Sequence, residues 1–94
     1  MPIKRDILGK DLEVALQIHD SSKNGEEIYF SKLVQILDGR ISRNRISQAL
    51  DRLFDDGILT AEFKKINKKW ARVYHVSGEA EGLLEDIYNQ VLKS

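Results

Sequence analysis

Residues 30–63 read FSKLVQILDGRISRNRISQALDRLFDDGILTAEF, and the fold turns on how this stretch is divided. Ser42 is a suitable N-cap, and Ile46, Ala49, Leu50, Leu53 and Phe54 follow at i, i+3, i+4, i+7 and i+8, an apolar stripe of helical period. Gly57 stands where such a helix stops. The spacing predicts a helix over about 42–56, roughly 21 Å long, with Arg43, Asn44, Ser47, Gln48 and Asp51 on the face opposite the stripe. Just upstream, Ser31 as a cap, Leu33, Val34 and Leu37 as an apolar face, and Gly39 as a stop predict a helix of barely two turns. Two short helices separated by a tight turn are the centre of the reading.

Beyond Gly57 the apolar period changes from 3.6 to 2, because Leu59, Ala61 and Phe63 alternate with Thr60, Glu62 and Lys64. A second strand over Lys69 to Val76 makes this a β-hairpin. With its loop centred on Asn67 and Lys68, Phe63 faces Arg72, Ala61 faces Tyr74 and Leu59 faces Val76, one mostly apolar face. Toward the N-terminus, Leu12, Ala15, Leu16 and His19 recur at helical spacing from Lys10 to about Lys23, where Asn24-Gly25 ends the run. Glu26 to Phe30 fits a brief strand. Toward the C-terminus, Ser77 caps a last helix whose stripe of Ala80, Leu83, Leu84, Ile87, Tyr88, Val91 and Leu92 is wider than one small domain needs.

Charge is segregated along this frame. The chain has 94 residues, with 15 basic and 15 acidic side chains, yet residues 40–52 carry Arg40, Arg43, Arg45 and Arg52 against Asp51. Residues 60–75 carry Lys64, Lys65, Lys68, Lys69 and Arg72 against Glu62. Such clustering can create a local field that attracts phosphate while the remaining surface stays acidic. There is no cysteine, hence no disulfide, thiolate metal site or thiol nucleophile. His19 and His75 lack metal-ligand spacing, and the sequence holds no phosphate loop, dinucleotide fingerprint or nucleophile with a base nearby. No cofactor and no enzymatic activity are expected. No apolar run approaches the roughly 20 residues that span a bilayer, so the expected location is cytoplasmic, with neither a membrane nor a small-molecule ligand as partner.

The order is helix, short strand, helix, tight turn, helix, hairpin, helix. The stretch 30–63 resembles the helix-turn-helix and first wing strand of winged helix-turn-helix regulators, and RVYHVSGEAEGLLEDI, residues 72–87, is similar to the second wing strand and following helix of small prokaryotic members. The expected fold is mostly α with a small antiparallel β-hairpin (α+β), a winged helix-turn-helix with a three-helix core plus wing and C-terminal helix. It forms one domain over 1–94, divided into an arm (1–9), the core and wing (10–76) and a C-terminal helix (77–94).

The resemblance implies double-stranded DNA as partner and transcription regulation as role, with the helix at 42–56 in the major groove and the wing at 58–76 on the backbone or minor groove. Side-chain chemistry agrees: arginine can address guanine, and asparagine or glutamine adenine, each through two hydrogen bonds. Arg43, Asn44, Ser47 and Gln48 are the expected base readers. Arg40, Ser42, Arg45, Lys64, Lys65, Lys68, Lys69 and Arg72 are the expected backbone contacts. Asp51, Asp55 and Asp56 would be repelled by phosphate, so only the first two turns of the helix should enter the groove.

For the aromatic and charged residues outside this set, plainer roles are expected. Trp70 is read as shielding the sheet edge, Tyr74 as core, His19 as a hydrogen-bonded, partly buried histidine, and Glu79, Glu81, Glu85 and Asp86 as a solvated helix face. Arg72, between Trp70 and Tyr74 on one strand face, is a candidate for stacking on those rings. The last helix offers two compatible readings: it completes the domain's own core, or it packs against its twin in a homodimer with Leu84, Tyr88, Val91 and Leu92 in the seam and Ile7, Leu8 and Leu12 nearby. The alternative function is a protein–protein interaction module in a larger assembly, since a fold does not fix a function.

Overall fold

The computed structural model describes residues 9–92, with side chains to residue 90. Four helices and three strands follow in the order α1 (Lys10–Lys23), β1 (Ile28–Tyr29), α2 (Phe30–Ile36), α3 (Arg43–Asp55), β2 (Leu59–Ile66), β3 (Lys69–Val76) and α4 (Gly78–Leu92). The strands form one antiparallel sheet in the order β1-β3-β2. The short strand therefore pairs with the hairpin, at Ile28↔Tyr74 and Tyr29↔Val73, and makes a three-stranded sheet where the sequence led us to expect a two-stranded one.

The helix ends follow from local chemistry. Ser42 caps α3 by accepting the Arg45 N–H at 3.2 Å. At the other end Gly57 adopts φ 78°, with Ile58 N–H reaching the Leu53 carbonyl and Gly57 N–H the Phe54 carbonyl, a Schellman closure. Helix α2 differs from expectation: it begins at Phe30, and Tyr29, extended at φ −131° and ψ 168°, precedes it without any side-chain cap. The reason is the sheet. Pairing of Tyr29 with Val73 holds the chain extended up to that residue and the helix starts at the next one, so Ser31 lies inside the helix instead of at its mouth.

The hairpin register is the one read from the sequence: Leu59↔Val76, Ala61↔Tyr74, Phe63↔Arg72 and Lys65↔Trp70. Its two loop residues both take positive φ, 51° at Asn67 and 69° at Lys68, which is the primed turn that matches strand twist. A lysine bears a steric cost there that glycine avoids. Lys68→Gly should therefore raise domain stability by about 0.5–1 kcal/mol after allowing for the greater freedom of glycine in the unfolded chain, measured as a shift in the urea midpoint; a lower midpoint would contradict the turn assignment.

Val14, Ala15, Leu16 and Ile18 of α1, Leu33 of α2, Ile46, Ala49, Leu50 and Leu53 of α3, Leu59 and Tyr74 of the hairpin, Ile28 of β1 and Leu84 of α4 form one buried core. Polar contacts fasten α4 across α1. A ring nitrogen of buried His19 is hydrogen-bonded to Glu85, Lys23 donates to the same carboxylate at 2.9 Å, and the Tyr88 hydroxyl donates to Asp20 at 2.9 Å. His19 first and Lys23 second hold the Glu85 carboxyl below its ordinary range, and the bond to Asp20 pushes the Tyr88 phenol up. His19 is thus hydrogen-bonded as expected, though fully instead of partly buried, whereas Glu85 is a docking residue of α4 instead of part of a solvated face.

Candidate nucleic-acid interface

Helix α3 turns Ile46, Ala49, Leu50 and Leu53 into the core and leaves Arg43, Asn44, Ser47 and Gln48 exposed on the far side, as the 3.6 period requires. The arginine at its first position does not wave freely: the Arg43 guanidinium lies over the Phe30 ring at 5.3 Å from the centroid. Phe30 opens α2, directly after β1. A groove of about 420 Å³ runs from Tyr29 and Ser31 at this junction to Asn67, Lys69 and Trp70 at the hairpin tip. The start of α3, the start of α2 and the tip of the hairpin therefore form one continuous surface.

Ion pairing divides the expected backbone contacts into two groups. Arg40 turns inward: its Nη2 and Nε lie 2.6 and 2.8 Å from the same oxygen of Glu13, a carboxylate that is fully buried in α1. Arg45 is 3.0 Å from Asp11, which also meets Arg52 at 3.3 Å. Lys64 lies 3.2 Å from Glu27 and 3.5 Å from Glu62, and the bond to Glu27 raises its pKa above the usual lysine value. Ser42 accepts the Arg45 N–H as the cap, a bond that leaves its O–H available as a donor. The three cations were expected to lie ready for phosphate, and the acidic first turn of α1, Glu27 just before β1 and Glu62 within β2 engage them instead. Glu62 also accepts from His75 at 2.8 Å, which lowers its pKa.

The second group has no carboxylate partner among the described residues: Arg43, Lys65, Lys68, Lys69 and Arg72. Every one of them belongs to the continuous surface or to the hairpin beside it. Arg72 stacks, but on Phe63 directly across the strand pair at 5.5 Å, not on Trp70 or Tyr74. Tyr74 is buried as expected. Trp70 is not a shield, since it is 69% exposed, and Phe63 and Phe54 are exposed to 67% and 48%. The burial of aromatic residues in a hairpin depends on whether a helix lies beneath, and here the core covers only the half of the sheet nearest Leu59.

On α4 the expected dimer seam is revised at Leu84, whose side chain is buried in the chain's own core and offers no area to a second copy; Leu83, 62% exposed, faces out in its place. Tyr88 is half-buried against His19 and Asp20. The side chains of Val91 and Leu92, and all of Ile7 and Leu8, lie outside the described residues. No helix among the described residues is long and apolar enough to cross a membrane.

This architecture is the winged helix-turn-helix fold: α2 and α3 are the helix-turn-helix, β2 and β3 the wing. Solved structures share it. A protein of Archaeoglobus fulgidus matches with a TM-score of 0.72 at 12% identity, over 89% of this chain and 88% of that one. The circadian clock associated protein Pex from Anabaena matches with a TM-score of 0.71 at 22% identity, over 98% of this chain and 82% of that one. A PadR family transcriptional regulator from Eggerthella lenta matches with a TM-score of 0.59 at 25% identity, over 82% and 69%. No family model matches the sequence, and no curated protein matches it.

Proposed function

We propose that this protein binds double-stranded DNA sequence-specifically as a transcriptional regulator, with the opening turns of α3 in the major groove and the wing on the adjacent backbone or minor groove. The observation that carries the reading is the distribution of unpaired cations. Seven other basic side chains of the described surface, from Lys10 to Lys64, lie within 4.0 Å of a carboxylate, while Arg43 and the hairpin set Lys65, Lys68, Lys69 and Arg72 are exposed without one among the described residues. A neutral protein thereby keeps a positive face, and phosphate is the common polyanion that such a face attracts. The likeness to the PadR family regulator supports the regulatory role.

Within this reading Arg43, Asn44, Ser47 and Gln48 read base edges, since they are exposed together on the first two turns and offer both donors and acceptors. A symmetric dimer would set two α3 helices about 34 Å apart, one turn of B-form DNA; Leu83 and the rest of the outer α4 face are the surface it would use. The test is a selection from random duplexes followed by the double substitution Arg43→Ala and Gln48→Ala. Preference for the selected site over random duplex should fall by at least about 30-fold, taking about 1–3 kcal/mol for each lost base contact, with weak general binding retained. An undiminished preference would reject α3 as the reading helix. A protein-docking module, by contrast, would show little change in binding between 50 and 200 mM salt.

A further inference from the structure

Trp70 is the one tryptophan in the chain, and it stands at the second position of β3, opposite Lys65 and one residue from Lys69. It is more exposed than any other large apolar residue described. Nothing in the described chain engages it: no ring or cation stacks on it, and its indole N–H has no acceptor. Phe63 offers a contrast two residues along the same sheet face, because the Arg72 guanidinium covers its ring and Phe54 lines the same small hollow beside it. An indole left in water at the end of a ribbon loses the burial that makes tryptophan favourable, so its presence there calls for an occupant.

The surroundings select the occupant. Lys65 directly across from the indole and Arg72 two residues along share its sheet face, Lys68 and Lys69 precede it at the turn, and none of the four has a carboxylate partner among the described residues; Trp70 is also a wall of the groove whose far end is formed by Ser31 and Tyr29. An apolar plane framed by unpaired cations matches a surface whose edges are anionic and whose floor is apolar. The minor groove has that form, with phosphates on both rims and the faces of sugars and base edges between them.

We propose that Trp70 is a DNA contact, packing its indole into the minor groove against sugar and base edges while Lys65 and Lys69 hold the flanking phosphates. The assignment rests on the duplex-binding reading above and adds to it an apolar contact that supplies affinity without counting a phosphate. Because Trp70 is the sole tryptophan, its emission reports on that contact alone.

The experiment uses the full chain and a 20-base-pair duplex of mixed sequence, with binding followed independently by anisotropy of an end-labelled copy. As unlabelled duplex is added, tryptophan emission should change and its quenching by acrylamide, a neutral probe indifferent to phosphate, should fall, both saturating with the anisotropy. Trp70→Ala should weaken binding about ten-fold, in line with the burial of part of an indole face from water, and leave the log–log salt slope unaltered because no phosphate contact is lost. Trp70→Phe should recover most of the affinity. Unchanged emission and quenching at full anisotropic saturation would overturn the assignment while leaving DNA binding intact. Emission that shifts with protein concentration alone, without DNA, would assign the indole to a second copy and overturn it equally. If anisotropy shows no binding to any duplex, the underlying reading fails and this one with it.

Discussion

Arg40→Ala should lower the stability of the domain by about 3 kcal/mol, a fall in melting temperature of about 10–20 °C for a chain of this size. The magnitude comes from what is left behind. Glu13 is fully buried and receives both Nη2 and Nε of Arg40 on one oxygen, while its other oxygen has no hydrogen-bond partner and Lys10 stands off at 4.0 Å. Without the guanidinium a carboxylate would sit in the interior of α1 with its charge uncompensated, and breaking such a pair from one side typically costs about 3–5 kcal/mol. The lower end applies because the Arg40 side chain is 45% exposed, so water could enter where it leaves. The pair's own net contribution is a different quantity. Replacing both partners by methionine removes the charge and its desolvation together, and that double variant should lie within about 1 kcal/mol of the original. Chemical denaturation of the single and double variants measures both, and equal losses in the two would mean that shape, not charge, is what Arg40 supplies. The same pair explains the departure of Arg40 from the DNA face: it braces the turn between α2 and α3 against α1.

The parts of the structure that were readable from sequence are those set by local period and local turn chemistry. The α3 stripe, its Ser42 cap and its Gly57 stop each depend on residues within a turn or two, and all three are found as read except that Phe54, the last member of the stripe, is 48% exposed instead of buried. So is the hairpin register, because a loop at Asn67-Lys68 leaves one way to bring Leu59 and Tyr74 to the same face. What could not be read depends on distance through space. Asp11 and Glu13 look like ordinary acidic residues in a helix first turn, and nothing in their spacing says that Arg40, 27 positions on from Glu13, will reach back to one of them. Pairing of β1 with β3 was likewise invisible, and with it the early start of α2. Trp70 was misplaced, and Leu84 left between the chain's own core and a dimer seam, for a related reason: strand alternation and helical period say which face a residue occupies but not how far the packing against that face extends. The candidate interface was accordingly legible as a set of cations, while the subset that remains unpaired emerged only from the fold.

That subset makes the second large effect specific. Substituting Lys65, Lys68 and Lys69 together by alanine should weaken binding to any duplex about 100- to 1,000-fold near 0.1 M salt, because each phosphate contact contributes about 0.9 to the slope of log K against log salt and the three should act together. The slope itself should become shallower by about 2.7. Sequence preference should survive, since the readers on α3 are untouched. Lys64→Ala is the decisive comparison. It removes the same formal charge from the neighbouring position, but that charge is already answered by Glu27 and Glu62, so its effect on slope and affinity should be well under that of any one of the other three. Stability must be followed in parallel, because Lys68 occupies the strained turn position and its replacement could alter the ribbon; circular dichroism melts of the triple variant should stay within a few degrees of the original. If Lys64→Ala and the triple variant flatten the salt slope in simple proportion to charge removed, binding follows net charge alone and the wing has no assigned role. A slope unchanged in the triple variant would remove the hairpin from the interface and leave α3 without the support on which major-groove reading by so small a domain depends.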